Sequence, residues 1–119
     1  MILDDSYNGS EHGIRAALAV LALFSGKKVV QTPGIVEQGK NTAESNFKLG
    51  RSIAKTADDV IIVNDINRSY IEGGLLAGEF NRQNIHFAKT TEEAKLLYAK
   101  LLVPGDALLI ANDLPDNFA

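Results

Sequence analysis

Short apolar runs of strand type alternate along the chain with segments in which apolar residues recur at helical spacing. Ile2 to Asp4 reads as a first strand, after which Ser10 can cap a helix whose Ile14, Leu18 and Leu21 share a face and which ends near Gly26. Lys28 to Thr32 is a second strand, stopped by Pro33-Gly34. A loop then runs to Asn41, which with Glu44 three residues later predicts the start of a helix through Lys55. Asp59 to Val63 is a β-branched block suited to burial on both faces of a parallel sheet. Asn67 opens a third helix, in which Gly73, Gly74 and Gly78 each cost about 1 kcal/mol relative to Ala. Asn84 to Phe87 is a fourth strand. Thr90 and Glu93 form a capping box for a helix with Ala94, Leu97, Tyr98 and Leu101 on one face, and Asp106 to Ile110 is a fifth strand behind Pro104-Gly105.

The order βαβαβαβαβ predicts an α/β fold: a doubly wound, mostly parallel sheet of five to six strands with helices on both faces. At 119 residues without a linker or repeat, the chain is expected to form one domain. The net charge of −3 gives no footprint for nucleic acid or for an anionic membrane. Cysteine is absent, which excludes disulfides and thiolate catalysis, and two distant histidines make a metal site improbable. The longest apolar stretch, Ala16 to Phe24, is far below the roughly 20 residues of a membrane span. A cytoplasmic, soluble monomer is the expectation.

Candidate chemistry concentrates where the first strand meets the first helix. In an open α/β sheet, ligands bind at the carboxyl ends of the strands, and here that position reads Leu3-Asp4-Asp5-Ser6-Tyr7-Asn8. An ionised carboxylate only accepts hydrogen bonds, so it suits a pair of ribose hydroxyls or a cation and not a phosphate, and Asp5 is the candidate for a ribose. Tyr7 and Asn8 fit a tight turn, with Gly9 supplying positive φ. The loop after the second strand, Thr32-Pro33-Gly34 to Glu37-Gln38-Gly39, lies on the same edge and is either part of a pocket or a plain connection. His86 is expected to be structural. No Gly-x-x-x-x-Gly-Lys-Ser/Thr loop occurs, so the chain has no visible cradle for a triphosphate.

Leu3-Asp4-Asp5-Ser6-Tyr7-Asn8 resembles the segment that opens the C-terminal domain of the Mur ligases, closest to the branch that adds D-alanyl-D-alanine to the UDP-muramoyl tripeptide. Glu37-Gln38-Gly39 and Gly105-Asp106-Ala107-Leu108-Leu109-Ile110 are similar to further patches of that domain. The resemblance implies residues 1–119 as the closing domain of a larger, ATP- and magnesium-dependent amide ligase of peptidoglycan precursor synthesis. Its partners would be a UDP-muramoyl-peptide and an incoming amino acid or dipeptide. In that family the central domain holds the phosphate loop and the magnesium. The C-terminal domain supplies a ribose-contacting Asp, matched here by Asp5, and part of the pocket for the incoming amine. Ser6, Tyr7, Asn8, Asn112 and Asp113 fall on that pocket, and no catalytic residue falls in this chain. The sequence departs from the family where Lys-Gly-Ser-Arg is replaced by Ala111-Asn112-Asp113-Leu114.

Two other classes fit the same element order. A phosphoacceptor receiver domain would use Asp4-Asp5, Asp65 and Thr90, but needs a Lys after the fifth strand where this chain has Ala111-Asn112-Asp113. A stand-alone binding module is the other.

Overall fold

Alternating pattern becomes alternating structure: β1 (Ile2–Asp4), α1 (Glu11–Leu21), β2 (Lys28–Thr32), α2 (Thr42–Ala54), β3 (Asp59–Val63), α3 (Arg68–Ala77), β4 (Ile85–Ala88), α4 (Thr91–Leu101) and β5 (Ala107–Ile110), with a short 3-10 turn at Arg82–Asn84. The structure, a computed structural model, describes residues 2–4, 11–35 and 42–111. The five strands form one sheet in the order β1-β5-β2-β3-β4, and every pairing is parallel. The expected α/β class holds, with five strands among the described residues.

Residue parity along the strands divides the core. Val30, Val60, Ile62 and Leu109 face α1, α2 and α3, whose Ile14, Leu18, Leu49, Ile53, Ile71 and Leu75 are all buried against them. Val29, Ile61, Val63 and Leu108 face the other side, where Ala94, Leu97, Tyr98 and Leu101 of α4 cover them. This three-to-one division follows from the crossovers. The steps β1 to β2, β2 to β3 and β3 to β4 all run one way across the sheet, and only β4 to β5 runs back, so crossovers of one hand place only α4 on the second face.

The strand order also separates the chain from the receiver alternative. In that fold β1 lies inside the sheet, in the order 2-1-3-4-5, whereas here β1 is an edge strand paired with β5 alone among the described residues.

The third helix forms despite its glycines because Gly74, opposite Gly50 of α2, is needed for packing. A Cβ at Gly74 would run into the carbonyl oxygen of Phe47, and one at Gly50 into that of Ile71, so α2 and α3 touch backbone to backbone. The propensity cost is offset by a seam that no larger residue permits. Gly26 likewise serves close approach, its position pressed against the Gly105 carbonyl. It does not cap α1, which ends at Leu21, the chain leaving through tighter bonds from Leu23 N to Val20 O and Phe24 N to Leu21 O.

Capping is met in part. Thr90 Oγ1 accepts from Glu93 N at 3.2 Å, but the Glu93 carboxylate accepts from Lys89 N at 3.4 Å, one residue before the expected partner. Asn67 precedes α3 without a side-chain cap bond. Asn41 lies outside the described residues, while Glu44 pairs with Lys48 at 3.1 Å.

Candidate functional site

An all-parallel sheet places every strand's carboxyl end on one edge, where side chains and turn backbones can converge on a ligand. Three loops meet there, and their amides tie them together. Asn46, fully buried on α2, accepts from Ile35 N at 2.7 Å and donates to Ile35 O and Thr42 O, both at 2.9 Å, holding the loop after β2 against α2. Thr32 Oγ1 accepts from Gly34 N at 3.0 Å, and the Asn67 amide is turned inward toward Pro33 O at 3.5 Å. That orientation is why Asn67 leaves the start of α3 uncapped. The buried Asn46 was missed by sequence reasoning, because a polar residue inside a helix gives no sign of the loop it satisfies.

The turn after β3 is the most constrained piece of this edge. Asn64 adopts the left-handed region at φ 59°, which Asn tolerates better than most residues. Its N–H donates to Ala88 O at 2.7 Å, and its side-chain oxygen accepts from Ile66 N at 3.1 Å, so the turn is fastened to the end of β4. Between the two strand ends opens a cavity of about 450 Å³ lined by Asn64, Asp65, Arg68, Phe87, Ala88, Lys89 and Glu93. The Arg68 guanidinium carbon stands 3.2 Å from the centroid of the Phe87 ring, a cation–π contact. Among the described residues neither Arg68 nor Lys89 forms an ion pair. Stacking fixes the guanidinium plane and leaves its N–H edges available to a ligand acceptor.

A cavity of similar volume lies between α1 and α2, lined by Arg15, Leu18, Ala19, Ser52, Lys55 and Thr56. It runs along the helices, away from the strand ends. The carboxyl-edge cavity is therefore the stronger candidate.

At the opposite edge, charge is consumed by structure. Asp59 accepts from or pairs with His86 Nε2 at 2.9 Å, and Lys27 Nζ stands 3.8 Å from its other oxygen. Asp106 accepts from Val103 N and Lys27 N, both at 3.0 Å, and these amides, the Val103 one foremost, with the Lys27 charge behind them, lower its carboxyl pKa below 3.8. His86 is thus structural, as its place in a short strand suggests.

Asp4 closes β1 opposite Ile110 of β5. Asp5, Ser6, Tyr7 and Asn8, with Asn112 and Asp113, lie outside the described residues, as do Glu37, Gln38 and Gly39. Of the receiver set, Asp65 lines the cavity, but Thr90 is occupied as the cap of α4. Arg68, Phe87 and Lys89 were not singled out from sequence. The available signal was positional: charged residues directly after two strands of an open α/β sheet.

No family model matches the sequence, and no curated protein matches it. Solved structures do. The MurF ligase of Thermotoga maritima, crystallised in complex with ADP, matches 94% of this chain at 22% identity and a TM-score of 0.76. The MurF of Acinetobacter baumannii matches 94% at 24% identity and a TM-score of 0.73. These matches cover 24% and 25% of the respective ligases, so the chain spans about a quarter of their length. The fold is one that these ligases contain.

Proposed function

We propose that this chain is the C-terminal domain of an ATP-dependent amide ligase of the Mur type, acting in peptidoglycan precursor synthesis in the cytoplasm. The observation that carries the reading is the fold match over 94% of the chain to two MurF ligases. The Leu3-Asp4-Asp5-Ser6-Tyr7-Asn8 run supports it through its resemblance to the segment that opens that domain, and its first two residues belong to β1, which pairs in parallel with β5. In this reading Asp5 contacts the ATP ribose. Ser6, Tyr7, Asn8, Asn112 and Asp113 border the incoming amino acid or dipeptide, D-alanyl-D-alanine in the nearest branch.

The division of labour with a neighbouring module is supported by what the described edge can hold. Its cavity mixes two carboxylates with two cations, a poor cradle for a triphosphate. ATP and magnesium would therefore be bound mainly by the rest of the ligase, and the chain alone would not turn over. Closure of this domain over the nucleotide would exclude water from a hydrolysable acyl phosphate and bring the amine within reach.

Two measurements test the reading. In the intact parent, assayed by ADP release with UDP-muramoyl-tripeptide and D-alanyl-D-alanine, Asp5→Ala should raise KM for ATP about tenfold to a hundredfold, the worth of charge-assisted hydrogen bonds. Unchanged ATP kinetics would remove Asp5 from the site. The isolated chain should bind ATP weakly, and submicromolar affinity by calorimetry contradicts the division of labour.

A further inference from the structure

The two flanks of α2 are built in opposite ways. Gly50 and Gly74 let α2 and α3 meet through their backbones, whereas a cavity of about 450 Å³ stays open between α2 and α1. Each helix offers that cavity three residues at i, i+3 and i+4 spacing, the set that shares one helix face: Arg15, Leu18 and Ala19 from α1, and Ser52, Lys55 and Thr56 from the end of α2. Leu18, which is buried, makes an apolar floor with Ala19. The described lining therefore holds two cations, two hydroxyls and no carboxylate, unlike the mixed lining at the strand ends. Lys48, further back on α2, is taken up by Glu44 at 3.1 Å, while Lys55 forms no ion pair among the described residues. Asp58, the next carboxylate along the chain, accepts from Lys28 N at 2.8 Å.

We infer that this cavity binds a small, soluble organic phosphate monoester, its phosphate held between Lys55 and Arg15 and its apolar body laid on Leu18 and Ala19. The terminal oxygens of a phosphate are strong acceptors, and the ammonium, the guanidinium and the two hydroxyls are the donors that match them. The last turn of α2 fixes the hydroxyls relative to the ammonium, because Lys55 N donates to Ser52 O at 3.2 Å and Thr56 N to Ile53 O at 3.0 Å. A cation in a last turn also offsets the negative end of its own helix, roughly half a unit charge, but that role asks nothing of Arg15 on the neighbouring helix. Two full positive charges outweigh the helix end, so the cavity attracts anions. Its volume is more than a phosphate group fills and lies in the range of small-ligand pockets, which calls for a ligand with an apolar remainder. With a net charge of −3 the chain as a whole is repelled by an anionic bilayer, which favours a soluble molecule over a lipid headgroup. The site runs along the helices, away from the strand ends, and stands or falls independently of the ligase reading.

The test is a titration of the 119-residue chain with phenyl phosphate, without nucleotide, followed by backbone amide resonances. A dissociation constant of about 1–10 mM is expected for a few charge-assisted bonds in an open groove. The shifts should centre on residues 15–19 and 52–56. Inorganic phosphate, which lacks the apolar body, should bind more weakly, and phenol, which lacks the phosphate, should cause no shifts there. Lys55→Gln and Arg15→Gln should each weaken phenyl phosphate by at least about tenfold, Lys55→Arg by less, and Lys95→Gln on α4, across the sheet, not at all. Ser52→Ala combined with Thr56→Ala should weaken it about threefold to tenfold. Vesicles of phosphatidic acid in phosphatidylcholine should not sediment the chain. The inference is overturned if phenyl phosphate causes no localised shifts, if its shifts centre on Arg68 and Lys89 instead, if phenol binds as well, or if Lys55→Gln leaves affinity unchanged. Cosedimentation with the vesicles that Lys55→Gln abolishes would overturn the soluble source.

Discussion

The two edges of the sheet carry similar side chains and use them in opposite ways. At the amino edge Lys27, Asp59, His86 and Asp106 are joined to one another or to backbone amides. At the carboxyl edge of β3 and β4, Asp65, Arg68 and Lys89 have no ion-pair partner among the described residues and face a cavity. Charges that satisfy each other hold a fold together but have nothing left for a ligand. Charges kept apart at a prepared distance contribute little to stability and remain available for recognition.

The largest expected effect comes from a change that displaces the helix carrying the carboxyl-edge charge. Gly74→Ala drives a methyl group into the Phe47 carbonyl, a backbone atom that no rotamer change can move, and displaces α3, whose first residue is Arg68. A loss of about 3 kcal/mol or more is expected in urea unfolding. Gly73→Ala is the internal control. Its methyl group would meet the Phe47 ring at 3.6 Å, an ordinary contact, and the better helix propensity should leave stability equal or higher.

A sharper contrast comes from removing one charge at each edge. Asp59→Ala strands His86 and should cost about 1.5–3 kcal/mol while leaving the Arg68–Phe87 contact at the other edge intact. Arg68→Gln should cost less than about 1 kcal/mol, the worth of its contact with Phe87. If the two substitutions cost the same in stability, the distinction between the edges is wrong.

The smallest effect concerns acid. The folded-state carboxyl of Asp106 titrates below its ordinary 3.8, so the native protein binds fewer protons there than the unfolded chain. Its contribution is therefore present above that ordinary value and lost as pH falls through the lower, folded one. Asp106→Asn should flatten the fall of stability in this acid window and lower stability at neutral pH. An identical acid slope in the variant would show that the carboxylate is not the source.

Much of the fold is legible in the residues. All five strands appear where apolar runs place them, with β4 shifted by one residue because Asn84 is taken by the 3-10 turn. Ile14, Leu18 and Leu21 form the buried stripe that their spacing requires. The candidate cavity was far less legible. Asp65 entered only through the receiver alternative, and nothing in Asn-Arg-Ser announces that Arg68 lies over a phenylalanine nearly twenty positions later.

Local pattern was enough to set the number of elements, their type and the face each buries, because hydrophobic period and capping chemistry act over a few residues. The order β1-β5-β2-β3-β4, the backbone contact at Gly50 and Gly74, and the meeting of Arg68, Phe87 and Lys89 depend on which strands become neighbours. That choice is made by packing the whole chain at once, since groups far apart in sequence come together only after the crossovers have closed.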